Sequence, residues 1–518
     1  MGTLIKDIVL DAAKLPAGWS AHLPEFVARK LGIAPSQVLQ TELLSGTVDS
    51  RRGTPKLLLT VNADITGIPA SPPEEFAAFT PQTPEIPEKT TLDSPLVIGT
   101  GPAGIFGALV LAQAGCRPVI IDRGAPVEQR AADYQTFIRT RQLDEESNLL
   151  IGEGGAGTFS DGKLYTGTRD RRAGWVRRQL VNCGAPPEIL WKTRAHVGSD
   201  FLQITAANLR RHIEKLGGRF LFHTEITGIK VKNGTFCAAR TASGELLEAP
   251  AALLAPGLGG RNLLRQLMAD ADWELKPFQI GCRIEHPQKL IDRSMYHISR
   301  PAALGAAEYH LVSRRYPRHT ASFCMCPGGE VVNATAWHHR SISNGMSLFA
   351  RAGEFANSCL ISTFAPGELG NAAEVFELID QLETACFRLG GGDYTLPAQD
   401  AAGFIRRELA LKNRKTSAAT GITPGRIDEA VPAELFNALC SALRDFDHRI
   451  PGWIKQGKFI GIESCVSAPI RLKRDRATLE SSITALYPAG EGCGAAGGII
   501  SAACDGIRCA EAMLKHSC

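Results

Sequence analysis

Short apolar runs broken by polar turns open the chain, and longer apolar runs punctuated by glycine follow. Residues 5–10 predict a strand, 22–31 an amphipathic helix, and 38–44 and 56–63 two further strands. This βαββ order makes 1–67 a small α+β module. Seven prolines from Pro69 to Pro95 then interrupt the periodicity, so 68–94 reads as a semi-rigid linker.

From Pro95 the pattern becomes α/β. Pro95-Leu96-Val97-Ile98 is apolar on both faces, as a strand inside a parallel sheet must be, and Ile105 to Ala112 predicts the next helix. Pro118 to Ile121 reads as the second strand, and residues 200–216 place Leu209, Ile213 and Leu216 on one side of a helix. Strands are expected at 219–222, 229–232, 236–241 and 246–249, then at 251–254 before the turn Ala255-Pro256-Gly257. Residues 276–455 alternate strands and helices without a comparable glycine turn, and 456–518 return to the glycine-rich style. The predicted architecture is an α/β domain in two segments, 95–275 and 456–518, with an inserted α+β domain at 276–455 and the small N-terminal α+β domain.

Glycine spacing carries the first chemistry. In Gly99-Thr100-Gly101-Pro102-Ala103-Gly104, Gly99 makes the tight turn, Gly101 lets backbone approach a pyrophosphate, and Gly104 lets helix pack on strand. Pro102 and Ala103 open the helix whose N-terminal amides face the phosphates. Asp122 ends the next strand, where a carboxylate accepts ribose hydroxyls, with Arg123 beside it. This Rossmann-like unit fits NAD or FAD.

A distal stretch decides between them. Ala489-Gly490-Glu491-Gly492 resembles the segment of the glutathione-reductase superfamily whose acid holds the ribityl chain, with Glu491 where Asp is commoner. Gly497, Gly498 and Ile499 then open a helix of small residues, whose positive end favours the charge that develops on a reduced flavin. Together the two motifs predict non-covalent FAD. A third stretch, 148–164, mimics a second dinucleotide turn, but Glu153 falls inside it and Phe159-Ser160-Asp161-Gly162 breaks the helix that should follow. A loop against the flavin ring is expected instead, with Gly155, Gly157, Thr158, Ser160, Asp161 and Gly162 as contacts, and Gly257 as another.

The stretches at 152–164, 280–288, 323–332, 344–347 and 486–506 resemble a bacterial family of largely uncharacterised FAD-dependent dehydrogenases in the glutathione-reductase-like superfamily. The resemblance spans the chain and includes the small N-terminal domain. It implies FAD, a redox role and an inserted substrate domain, with no known substrate. Pro256 stands where such proteins usually carry Thr, and Trp337-His338-His339 departs from the family stretch, which points to altered substrate preference.

Composition narrows the classes. A length of 518 residues suggests three domains at roughly 150 residues each. The net charge of +4 is too small to imply a polyanionic partner. Fourteen cysteines show no metal-ligand spacing, and the start lacks a signal-peptide core, so a cytoplasmic, metal-free enzyme is expected. Ser94 to Cys116 is uncharged and long enough to span a membrane, but its glycines and Pro102 fit strand, turn and helix better.

The substrate side offers Lys163, which reads equally as a solvated lysine or as a cation steadying a negative flavin or an acidic substrate, and His286 as a proton donor. Cys324 and Cys326 share a face if their strand is regular, as packing residues, substrate contacts or a redox pair. Arg283 and Glu285 also share a face and suggest a salt bridge. Arg471, Lys473 and Arg474 read equally as an anion site or a solvated cluster, and the pairs Arg171-Arg172, Arg177-Arg178 and Arg210-Arg211 as solvated helix faces, which disfavours nucleic acid.

The leading reading is an FAD-dependent oxidoreductase passing hydride between a small-molecule substrate and flavin N5, with NAD(P)H left open as co-substrate. Two rivals stand beside it. One is an RNA-modifying flavoprotein using the N-terminal module, with Val48-Asp49-Ser50-Arg51-Arg52 as its local signal. The other is a flavin-binding redox sensor without turnover. Oligomeric state has no signature.

Overall fold

A computed structural model describes residues 2–51 and 53–516. At its centre is a five-stranded, all-parallel sheet in the order Leu486–Pro488, Ala252–Leu254, Leu96–Ile98, Val119–Ile121, Arg219–Leu221. The short central strands are buried on both faces, which is why they read as unbroken apolar runs. Helices Pro102–Gln113 and Ile499–Lys515 cover one face. They cross where side chains would not fit: a Cβ on Gly506 would lie 1.9 Å from the Ala103 carbonyl oxygen. The antiparallel sheet Ile226–Lys232, Thr235–Thr241, Leu246–Glu248 and helix Arg261–Leu267 cover the other face. Of the strands expected at 219–249, the first belongs to the parallel sheet and the other three to this separate one.

The second large layer is a seven-stranded mixed sheet. Its order is Val312–Ser313, Thr320–Cys326, Phe355–Phe364, Phe278–Pro287, Lys458–Glu463, Leu396–Asp400, Ile422–Pro424. Helices Ala372–Leu389 and Ala433–Arg449 bury an apolar face against it. Lys458–Glu463, beyond the sequence boundary at 455, is a strand of this sheet and pairs with Phe278–Pro287. The chain enters and leaves through an antiparallel ribbon, Trp273–Leu275 with Ile470–Leu472.

The N-terminal module is the expected βαββ unit: an antiparallel sheet ordered Thr3–Asp11, Lys56–Ile65, Val38–Asp49, covered by helix Leu23–Leu31. It docks through Gly46, whose N–H donates to the Trp191 carbonyl at 2.9 Å, and through an edge-on contact of Trp19 with Trp191. The proline-rich linker is pinned to the α/β domain. Phe76 is buried, and Arg171 donates to the carbonyls of Ala77 and Thr80. The arginine pairs are not simple solvated faces either. Arg172 pairs with Glu511, Arg177 donates to the Leu164 carbonyl, and Arg210 pairs with Glu153 and Glu128. Arg51 is paired with Asp49, while Arg52 lies outside the described residues. Among the described residues, no helix is long and apolar enough to cross a membrane, and Ser94 to Cys116 folds as strand, turn and helix.

Candidate cofactor and active site

A cavity of 930 Å³ runs from the carboxyl ends of the parallel strands to the inserted domain, at the upper end of the ~300–1,000 Å³ usual for ligand pockets. Its first wall is the turn after Leu96–Ile98. Gly99 has φ of +103°, and a Cβ there would sit 2.2 Å from the Ala255 carbonyl oxygen. A Cβ on Gly104 would sit 1.9 Å from the Gly99 carbonyl oxygen, whereas one on Gly101 would meet nothing within 4 Å. Gly104 is thus a packing residue beneath the turn, and Gly101 faces open cavity beside Pro102 and Ala103. The Asp122 carboxylate accepts the Thr100 N–H at 3.0 Å, the Thr100 hydroxyl and the Gly124 N–H at 2.8 Å, which fixes its orientation on the wall. Arg123 also lines the cavity and donates to the Glu145 carbonyl.

The 148–164 stretch is a loop with one 3₁₀ turn, Ala156–Phe159, and not a strand–turn–helix unit. A buried cation organises it. Arg130 donates to the carbonyls of Asn148 at 2.9 Å, of Gly155 at 3.2 Å and of Glu153, and lies over the Phe159 ring at 4.8 Å. Burial pushes Arg130 down to about 10. The buried Glu153 accepts from the Val127 N–H and from Arg210, and burial raises its pKa. Gly155, Gly157, Ser160, Asp161, Gly162 and Lys163 line the cavity; Thr158 packs behind the loop. Asp161 is held by Arg351 through bonds of 2.8 and 2.5 Å. Burial opposes its charge, but Arg351 and Lys163 keep its carboxyl at about 2. Lys163 Nζ stands 3.7 Å from the same carboxylate and has no hydrogen-bond partner. Burial disfavours its charge, yet Asp161 outweighs that and the ammonium is stabilised.

The second strand-to-helix turn supplies the opposite wall. The Gly490 N–H donates to Asp505 at 3.0 Å, and Glu491 Oε1 accepts from Lys276 Nζ at 3.1 Å and the Ala468 N–H at 3.0 Å. Gly497, Gly498 and Ile499 line the cavity at the helix N-terminus, with Gly498 at φ of +74°. Pro256 and Gly257 line it from the adjacent strand end. The basic run divides: Arg471 and Lys473 are exposed, and Arg474 turns inward. Arg474 pairs with the buried Asp505 and donates to the Pro488 carbonyl, and Arg471 donates to the Gly494 carbonyl and pairs with Glu274.

The inserted domain closes the cavity with Phe323, Cys324, Cys326, Ala334, Ile342 and Asn344. The cysteine strand is not regular: pairing shifts between Phe323 and Cys326, and Cys324 has φ of +44°. Both cysteines still line the cavity, and the Cys326 thiol donates to the Cys324 carbonyl at 3.3 Å. Desolvation in the cavity pushes the Cys324 thiol up to about 12 although the residue is exposed, and raises the buried Cys326, with Lys163 opposing, so neither is a ready thiolate.

Three sequence readings are corrected here. His286 is 1% exposed and outside the cavity lining; its ring lies 3.9 Å from that of Trp453 and its Nε2 bonds the Trp453 carbonyl. Burial pushes it down to about 3, so it is a neutral packing residue and no proton donor. Arg283 and Glu285 do not pair with each other. A register shift on the neighbouring strand gives Arg283 to Glu463 and Glu285 to Lys458. Trp337-His338-His339 does not line the cavity; Trp337 stacks under the Arg261 guanidinium at 3.5 Å. Sequence reading missed Arg130, Lys276 and Arg351, solitary cations far along the chain from the carboxylates and carbonyls they hold. Lys276 beside the predicted domain boundary was the one accessible signal.

Residues 277–465 match the family described as FAD-dependent protein, C-terminal domain-like. An uncharacterized protein of Clostridium beijerinckii is 39% identical over 431 residues, covering 81% of this chain and 80% of that one. Among solved structures, L-proline dehydrogenase from P. horikoshii aligns at 12% identity and TM-score 0.36, over 84% of this chain and 95% of that one. A glycerol-3-phosphate dehydrogenase from Bacillus halodurans complexed with FAD aligns at 9% identity and TM-score 0.37, over 83% and 66%. Likenesses of that size fix neither architecture nor activity.

Proposed function

We propose that this chain, which belongs to the same family as the Clostridium beijerinckii protein, is an FAD-dependent oxidoreductase of the glutathione-reductase-like type acting on a small organic substrate. One observation carries the reading. A single cavity joins the open Cβ position of Gly101, the oriented carboxylate of Asp122, the Glu491 carboxylate and the helix end at Gly497–Ile499. That donor set fits FAD from end to end: acid for the adenosine ribose, bare backbone for the diphosphate, acid for the ribityl hydroxyls, and a positive helix end for the ring. The match of residues 277–465 to a domain of FAD-dependent proteins supports the same cofactor.

The chemistry FAD supplies when bound is exchange of a hydride with substrate at N5. The chain's own residues hold and enclose that exchange. The loop 152–163, braced by Arg130, presents small residues to the cavity. The inserted domain forms the far side. Lys163 keeps an ammonium charge beside Cys326 and Tyr165 with its donors free for an anion, on the substrate or on the ring. Reduction by NAD(P)H from solvent belongs to the proposal and would need no dedicated nicotinamide domain. The fourteen scattered cysteines suit a reducing, cytoplasmic setting.

Anaerobic mixing of the FAD-loaded protein with NADH and NADPH, followed by the visible flavin band, tests the reading. Bleaching by either makes a nicotinamide-linked reductase. Resistance to both, with bleaching by a small-molecule panel, makes a substrate-reduced dehydrogenase. A flavin that no donor bleaches contradicts the oxidoreductase assignment.

A further inference from the structure

The two chain crossings between the α/β domain and the inserted domain meet at one carboxylate. Trp273–Leu275 leads out and Ile470–Leu472 leads back, paired antiparallel. Lys276 follows the outgoing strand at once; its Nζ donates to Glu491 Oε1 at 3.1 Å, and its N–H donates to the Pro469 carbonyl at 3.0 Å. From the returning side, the Ala468 N–H donates to the same Glu491 oxygen at 3.0 Å. The Gln279 N–H donates to Ser467 Oγ at 3.1 Å and ties the crossings together one step further on.

Both members of the pair face the cavity, with side chains 15% and 21% exposed. The second oxygen, Glu491 Oε2, lies 2.2 Å from where a Cβ on Gly497 would stand, so it is turned to the helix end at the flavin site. A carboxylate there opposes the negative diphosphate of a dinucleotide unless a cation accompanies it. Lys276 is that cation, and it belongs to the crossing rather than to the cofactor-binding turn. Whatever fixes Glu491 also fixes the segment that carries the inserted domain.

We propose that Lys276 is a positioning residue which, through Glu491, couples FAD binding to the setting of the inserted domain over the cavity. The inference rests on FAD occupying the cavity. Coupling of this kind is reciprocal: FAD steadies the crossings, and loosening a crossing weakens FAD.

The test uses full-length wild type, Lys276→Met, Lys276→Arg and Glu491→Gln. It combines FAD titration of the apo-protein with hydrogen exchange at 273–279 and 466–472, with and without FAD. Wild type should bind FAD and gain protection at both crossings. Lys276→Met should bind about tenfold more weakly, the scale of a lost charged hydrogen bond. It should lose the FAD-dependent protection of the crossings while the turn at 99–104 stays protected, and Lys276→Arg should recover much of both. Glu491→Gln, which keeps the shape and removes the charge, should lose the FAD-dependent protection of the crossings as Lys276→Met does, while its FAD affinity is held by the Lys276 charge that remains. Unchanged exchange in the parallel strands of the apo variants confirms that they fold. Wild-type affinity and wild-type protection in Lys276→Met, or unchanged protection in Glu491→Gln, overturns the coupling alone. Failure of wild type to take up FAD overturns the cofactor reading, and the coupling with it.

Discussion

Two glycines three residues apart should fail in opposite ways. At Gly104 the added methyl of an alanine would stand 1.9 Å from the Gly99 carbonyl oxygen and 3.4 Å from Val97 Cγ1. Backbone cannot move aside cheaply, so Gly104→Ala should cost the ~1–3 kcal/mol of an overpacked core or more, lowering the apo-protein's melting temperature by roughly 2–12 °C. At Gly101 a Cβ meets nothing within 4 Å, and the residue has φ of −64° with extended ψ, which any residue adopts. Gly101→Leu should therefore fold with stability within ~0.5 kcal/mol of wild type. Its side chain would fill the space proposed for the diphosphate, so FAD affinity should fall by at least about 100-fold, ~2.8 kcal/mol. Thermal melts of the apo-proteins and equilibrium FAD titrations read the two effects separately. A Gly101→Leu protein that binds FAD like wild type would refute the placement of the cofactor over this turn. A Gly104→Ala protein that melts with wild type would refute the packing argument.

Other consequences are as direct. His286 and His196 are pushed by burial to about 3 and about 4, against an unfolded value near 6.5. The unfolded chain then holds more protons between those limits, so their contribution is complete above about pH 6.5 and lost as pH falls, at up to ~1.4 kcal/mol per unit for each group. Urea unfolding at pH 7 and pH 5 should show a smaller loss in His286→Gln than in wild type; equal losses would show that His286 is not buried neutral. With Cys324 raised to about 12, iodoacetamide at neutral pH should label it slowly, and a double Cys324→Ala, Cys326→Ala protein should keep wild-type rates of flavin reduction. A large loss of rate would restore the redox-pair reading. Removing the Lys163 charge, which has an ion-pair partner in Asp161 but no hydrogen bond, in Lys163→Met should move the bound flavin's two-electron potential negative by tens of millivolts, about 30 mV for each ~1.4 kcal/mol, with FAD affinity held. An unchanged potential would remove Lys163 from the flavin's surroundings.

What sequence revealed and what it hid divides by range along the chain. The turn at Gly99–Gly104, the strand ending in Asp122 and the distal Gly490-Glu491 pair are local patterns, each dictated by a backbone that must turn tightly or approach a ligand. The βαββ module was legible for the same reason, since its apolar periods switch within a few residues. His286 was misread because a histidine beside charged residues on a strand looks chemical until its neighbour Trp453, 167 residues away, is in place. The Arg283 and Glu285 pairing failed because alternation fixes faces within a strand, but a shift on the partner strand decides who meets whom. Arg130, Arg351 and Lys276 were invisible as parts of the site because isolated cations carry no periodicity, and their partners come from distant segments. The end of the inserted domain was drawn short because Lys458–Glu463, though apolar, joins the seven-stranded sheet by long-range pairing alone.

The most direct measurement is FAD stoichiometry: incubation of the purified full-length chain with excess FAD, gel filtration, then acid release and chromatographic identification of the bound flavin. One FAD per chain, co-eluting with the protein and giving it the visible flavin band, is the result predicted by the cavity between Gly101 and Glu491. Protein that emerges without flavin while folded by circular dichroism would contradict the account at its centre.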